Sequence, residues 1–177
     1  MQVLVDHLNG PCRPDTLLVL LPPAQAQLVD FHTHGFVAAV RERGIPVDIH
    51  LADITYQHVM AHTSVAALHT QVIGPAVAAG YRKIWLAGIS LGAFNALHYA
   101  AAHANQLAGI HLMAPYPGTG DILAEIRAAG DPMAWAQTPP SAQMTSESGG
   151  AGSASKPLPG SGPHRCISVR VIQTAFY

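Results

Sequence analysis

Gly88-Ile89-Ser90-Leu91-Gly92 sets a hydroxyl between two glycines, an arrangement suited to nucleophilic chemistry. A serine at a tight bend between a strand and a helix is held at strained backbone angles, with its hydroxyl lifted clear of the sheet. Side chains at 88 and 92 would collide with the neighbouring helix and strand, so both positions require glycine. The five-residue string alone is a weak signal, but its context is the one this chemistry needs. The apolar run Ile84-Trp85-Leu86-Ala87 precedes it, and an amphipathic segment carrying Phe94, Leu97 and Ala101 follows. Ser90 is the candidate nucleophile for acyl transfer; the competing reading is a glycine-rich turn in which Ser90 merely caps the helix.

Acyl transfer also needs backbone N–H groups aimed at the developing oxyanion, and the residue after the nucleophile, Leu91, supplies one. A second comes from the loop after an earlier central strand, here Leu21-Pro22-Pro23-Ala24-Gln25. Neither proline has an N–H, so Ala24 is the first residue able to donate. The alternative for this loop is an ordinary rigid strand exit.

These residues need a scaffold, and up to about residue 130 the sequence alternates short β-branched or Leu-rich runs with longer helical patterns. That is the rhythm of a parallel sheet covered on both faces. Strands are expected at 1–6, 16–21, 46–51, 83–87 and 107–114. Helices are expected at 27–43, 64–79 and 91–103, the first two stopped by Gly44 and Gly80, with a kink at Pro75. In sheets of this kind ligands sit at the carboxyl ends of the strands.

Composition narrows the function. The chain has 177 residues, which suits one domain, and 49% apolar against 11% charged residues makes disorder implausible for residues 1–135. Nine Lys plus Arg balance ten Asp plus Glu with no basic run, which argues against a nucleic-acid partner. Cys12 and Cys166 are too few for a disulfide framework, so a reducing cytoplasm is expected. The apolar run at 17–21 is too short for a signal peptide, and no stretch is long enough to span a membrane.

The order strand, Pro-rich loop, helix, strand, helix, Gly-Ile-Ser-Leu-Gly, helix, and a strand ending in Ala114-Pro115-Tyr116 resembles the α/β-hydrolase superfamily, in particular its serine esterase and lipase-like branch. The resemblance covers residues 14–130 and is most specific over 84–115. It implies a three-layer α/β sandwich with a mostly parallel sheet, Ser90 as nucleophile in an elbow framed by Gly88 and Gly92, and an oxyanion hole from Leu91 and Ala24. It also implies a small ester or thioester substrate and no cofactor. The family usually carries His-Gly or a Gly-rich string at the oxyanion loop, where this chain has Pro22-Pro23.

The family's acid follows a later strand and its histidine follows the last one. Here that territory is 136–177, a tract rich in Pro, Ser, Gly and Ala without apolar periodicity, in which only 166–171 recovers a strand-like run. With any synonymous codons allowed, 164–176 read one base earlier can encode PLYLGSGDPDRF, a strand, a turn and a carboxylate pair like the family's acid-bearing strand end. The C-terminal part of the core is therefore expected to be incomplete, truncated or frame-shifted after about residue 136, with 136–177 a poorly ordered tail. Within this chain, Asp121 as acid and His164 as base would preserve the order Ser, Asp, His; otherwise Asp121 is a helix N-cap.

The other histidines point less clearly to chemistry. His58 and His62 stand four apart, but residue 59 is Val where a zinc protease has Glu, and no third ligand is evident. His32 and His34 diverge on a helix, His98 and His103 suit the surface of the post-Ser90 helix, and His111 suits a core strand. No metal site is expected. No Gly-x-Gly-x-x-Gly follows Leu21, which disfavours a dinucleotide. Two functions remain: a serine hydrolase of carboxylic esters or thioesters acting through an acyl-enzyme, or a catalytically incompetent hydrolase-like protein that keeps the pocket. Residues 116–135 read as the start of a small apolar cap or as an ordinary surface helix. An incomplete sheet would expose an apolar edge and favour self-association.

Overall fold

The computed structural model describes residues 1–10, 12–116, 124, 127, 128, 130 and 168–172. Its strands are β1 (Val3–Asp6), β2 (Thr16–Leu21), β3 (Asp48–Ala52), β4 (Lys83–Ile89), β5 (Gly109–Met113) and β6 (Ser168–Ile172). Its helices are α1 (Asp30–Thr33), α2 (Phe36–Glu42), α3 (Tyr56–Met60), α4 (Ser64–Leu68), α5 (Gly74–Ala78) and α6 (Leu91–His103). The chain divides into two compact units, residues 1–116 with 165–177, and residues 117–164. Of the second unit, residues 124, 127 and 128 are helical and Gly130 has φ +87°.

The sheet runs in the order β1-β3-β2-β4-β5-β6. β1 pairs antiparallel with β3, and every other pair is parallel. From β2 the chain moves to β3 on one side and then returns to β4 on the other. The direction of sheet growth thus reverses between β2 and β4, and a crevice is expected above their carboxyl ends.

Alternation along the strands sorts the core into two layers. Leu17, Val19 and Leu21 of β2, with Ile84 and Leu86 of β4, pack with Leu68 of α4, Ala76 of α5, and Ala93, Ala96 and Tyr99 of α6. Leu20 of β2, Ile49 and Leu51 of β3 and Ala87 of β4 pack on the other face with Phe31 of α1 and Val37 of α2. This is the mostly parallel three-layer α/β architecture expected from the sequence.

Two expected helices are each divided. The predicted helix at 27–43 breaks into α1 and α2 because Gly35 takes φ +76°, its N–H donating to His32 O and closing α1. The predicted helix at 64–79 is α4 and α5 joined by a π-helical turn at His69–Ile73. Pro75 cannot donate an N–H and its ring would strike the carbonyl four residues back, so the turn widens just before it instead of kinking beyond it. Gly74 permits this, since a Cβ there would lie 2.9 Å from His69 O. α3 was not expected; Thr55 Oγ1 lies 2.8 Å from His58 Nδ1, and the Thr55 N–H donates to the same nitrogen in a capping box.

The amino-terminal pole of the sheet is held by a buried carboxylate. Asp48 is 1% exposed and accepts from Tyr81 Oη at 2.5 Å and from the Leu8 N–H at 2.7 Å, with His7 Nδ1 at 3.2 Å. Arg13 stacks over the Tyr81 ring at 4.2 Å, so residues 7–13 are fastened to the start of β3. Burial raises the Asp48 pKa, but the Tyr81 hydroxyl, the Leu8 amide and His7 outweigh it and hold the carboxyl below its ordinary value. The clasp therefore contributes fully above the ordinary carboxylate range, and its contribution is lost as pH falls through the lowered folded value. Asp48→Ala should cost about 3 kcal/mol in urea unfolding at neutral pH. The gap between wild type and variant should narrow as the pH is taken below the ordinary carboxylate range.

Candidate functional site

β4 hands over to α6 through one residue, Ser90, whose backbone has φ +51° and ψ −110°. A side chain at such angles costs on the order of 1–3 kcal/mol and persists only where its surroundings over-determine it. Here three hydrogen bonds do so. The Ser90 N–H donates to Met113 O at 2.9 Å, and Ser90 O accepts from the Tyr116 N–H at 3.1 Å and the Phe94 N–H at 3.0 Å. The exit of β5 thus grips both polar groups of the Ser90 backbone while α6 begins from the same carbonyl. Ala114, inside that exit, is itself at φ +43°.

The flanking glycines are set by contact. A Cβ on Gly88 would lie 2.3 Å from Gly92 O, and a Cβ on Gly92 would lie 2.1 Å from Leu21 O and 2.7 Å from Pro22 O. The first turn of α6 therefore rests on the backbone where β2 ends and the Pro22-Pro23 loop starts. In that loop Pro22 is buried, the Ala26 N–H returns to Pro23 O at 3.3 Å, and Gln25 takes φ +67°. Ala24 is exposed on the resulting turn. Leu91 is the first residue of α6, where a backbone N–H has no partner within its own helix.

The structure thus brings Ser90, Leu91 and the Pro22-Pro23 loop to the carboxyl ends of β4 and β2, at the switch point. Among the described residues, no side chain is hydrogen-bonded to the Ser90 hydroxyl. Asp121 and His164 lie outside the described residues, as do most of the expected cap and, apart from β6, the tail. Phe94 meets His98 in a tilted contact at 4.2 Å and Tyr116 edge-on at 6.1 Å, which packs aromatic groups beside the bend. Met113 and Tyr116 were missed in the sequence because they act through their backbones. Asn95 was missed too: it is 2% exposed, its Nδ2 donates to Leu91 O at 2.9 Å, and its Oδ1 has no partner among the described residues.

The remaining histidines are dispersed. His62 lies beyond α3 at φ +54°, so it shares no helical face with His58. His32 sits in α1 and His34 just after it. His103 stacks on His69 at 4.7 Å, and His111 stacks on Trp85 at 5.2 Å. His69 Nδ1 lies 3.0 Å from Tyr99 Oη, and burial pushes the Tyr99 pKa up to about 12. Among the described residues no group of three or more His, Cys, Asp or Glu side chains could hold a metal ion.

No family model matches the sequence, and comparison with curated proteins finds no match. Solved structures do match. Est1E from Butyrivibrio proteoclasticus superposes with a TM-score of 0.54 at 17% identity, over 70% of this chain and 50% of that one. A ferulic acid esterase gives 0.48 at 15%, over 67% of this chain and 60% of that one. Enterochelin esterase from Shigella flexneri gives 0.48 at 18%, over 73% and 38% respectively. Sheet order, layers and the superposition on Est1E agree: the chain has the α/β-hydrolase fold. It spans about half the length of Est1E.

The strain at Ser90 is measurable. Ser90→Gly should stabilise the fold by about 1 kcal/mol, relief of the positive φ exceeding the entropy cost of glycine. Ser90→Ala should be close to neutral and Gly92→Ala should lose at least about 3 kcal/mol. Thermal and urea unfolding of the three variants checks the order.

Proposed function

We propose that the chain is a serine hydrolase of carboxylic esters or thioesters and that Ser90 carries the acyl group. The observation that supports this most is the strained, doubly clamped Ser90 at the head of α6. In this reading Ser90 Oγ attacks the carbonyl carbon and its proton passes to a base. The oxyanion rests on the Leu91 N–H, at the positive end of α6, and on the Ala24 N–H from the turn after β2. Collapse of the tetrahedral adduct expels the alcohol or thiol, which takes the proton, and water then releases the acid by the same steps in reverse.

A second reading has a specific observation in its favour: among the described residues no imidazole or carboxylate contacts the Ser90 hydroxyl. In that reading the chain keeps the fold and the crevice without turnover. A reducing compartment suits either reading, since Cys12 is an exposed free thiol. Among the described residues no helix is long and apolar enough to cross a membrane.

Intact-mass analysis after treatment with a fluorophosphonate separates the two. The hydrolase reading expects one adduct per chain, mapped to Ser90 and absent from Ser90→Ala, together with hydrolysis of short acyl esters. A folded wild type that gains no mass and turns over no ester favours the second reading.

A further inference from the structure

At the pole of the sheet opposite Ser90, the connection between β1 and β2 borders a cavity that the acyl-transfer scheme does not use. His7, Leu8, Gly10, Arg13 and Pro14 of this connection line an open space of about 390 Å³ together with Asp48, the first residue of β3. That volume lies in the range of small-molecule sites. Both Asp48 oxygens are already engaged. Oδ1 accepts from the Leu8 N–H at 2.7 Å, and Oδ2 accepts from Tyr81 Oη at 2.5 Å and faces His7 Nδ1 at 3.2 Å. The carboxylate therefore holds the walls together, and the hydrogen-bonding capacity left at the cavity belongs to Arg13 and His7.

Arg13 is fixed in place and yet largely unengaged. Its guanidinium stacks on Tyr81 with Cζ 4.2 Å from the ring centroid, and Nη1 donates to Ala79 O at 3.3 Å. Nε lies 3.7 Å from Asp48 Oδ2, a charge contact too long for a hydrogen bond. Nη2 has no acceptor among the described residues, and half of the side chain is exposed. A guanidinium already held by stacking loses little freedom when it meets an oxyanion, which it can grip with two parallel N–H groups. His7 complements it. Asp48 fixes a proton on Nδ1, so Nε2, which has no hydrogen bond among the described residues, accepts in the neutral ring and donates in the charged one. An oxyanion that carries both a charge and a proton suits either form. A phosphate monoester, whose second pKa is about 6, offers both near neutral pH, whereas a carboxylate or a sulfate ester is fully ionised.

We propose that this cavity binds a phosphate monoester of a small organic molecule, with the phosphoryl group held by the Arg13 guanidinium and by His7 Nε2 and the organic part beside Leu8, Gly10 and Pro14. The site stands apart from the Ser90 reading, because Asp48 pairs in register with Leu17 near the start of β2 while Ser90 follows the far end of β4.

Titration of phenyl phosphate into the full chain, followed by phosphorus NMR and calorimetry, tests the assignment. Saturable binding of one ligand per chain is expected, unchanged in Ser90→Ala and weaker by about tenfold or more in Arg13→Gln, as the loss of a charge-assisted hydrogen-bonded pair requires. Gly10→Trp fills the cavity from the loop, where a Cβ meets no atom within 4 Å, and leaves the Asp48 contacts in place. It should weaken binding as much as Arg13→Gln while keeping the wild-type urea midpoint. Phenyl sulfate and benzoate, which carry no proton at neutral pH, and inorganic phosphate, which lacks the organic part, should each bind about tenfold more weakly than phenyl phosphate. Absence of saturable binding, or equal binding by wild type and either variant, overturns the site. Phenyl sulfate or benzoate binding as tightly as phenyl phosphate overturns the assignment to phosphate, and inorganic phosphate binding as tightly overturns the assignment to an ester.

Discussion

The contact between Gly92 and the backbone at the end of β2 governs the upper half of the molecule. With no side chain at 92, the first turn of α6 sits directly on the carbonyl oxygens of Leu21 and Pro22. A helix starting that close cannot be reached from the end of β4 by a relaxed connection, and the strain concentrates in Ser90 at φ +51°. Gly88 is the other half of the same constraint, because α6 also folds back against β4 at Gly92 and Ala93.

The rest of the fold supports that bend. The exit of β5 fixes both polar groups of the Ser90 backbone, and Tyr99, a fully buried residue of α6, donates to Gln106 Oε1 and so ties the far part of the helix to the turn that follows it. The sheet's two ends have different tasks. Charged and aromatic groups at the amino-terminal pole, gathered on Asp48, fasten the β1–β2 connection around an open pocket of about 390 Å³ lined by His7, Leu8, Gly10, Arg13, Pro14 and Asp48. At the carboxyl pole, the strained Ser90 and the first turn of α6 lie where the direction of sheet growth reverses.

Much of this was legible in the sequence for simple reasons. β2 is apolar on both faces because both faces are covered, and the pattern Leu17, Val19, Leu21 against Leu20 resolves into the two core layers. The strand, glycine-framed turn and helix around Ser90 were legible because a close approach allows so few residue types. What was not legible depends on tertiary contacts or on backbone conformation. The break at Gly35 resembles continued helix when read by apolar spacing alone, since Phe31 and Val37 still face the same core. The widening before Pro75 depends on how α4 and α5 share one face. His58, in a spacing suggestive of metal binding, is spent on the Thr55 cap. The clamps from Met113 and Tyr116 are main-chain bonds that no side-chain pattern encodes. The cavity lined by His7, Arg13 and Asp48 joins segments that are distant in the chain.

The most direct test of the account is a crystal structure of the chain soaked with phenylboronic acid, which forms a tetrahedral adduct on an activated serine. The account predicts boron bonded to Ser90 Oγ, one boronate oxygen within hydrogen-bonding distance of the Leu91 and Ala24 N–H groups, and Ser90 still at positive φ. A map showing residue 90 in regular helix or flat strand, with its hydroxyl turned into packed core and no adduct, would contradict it.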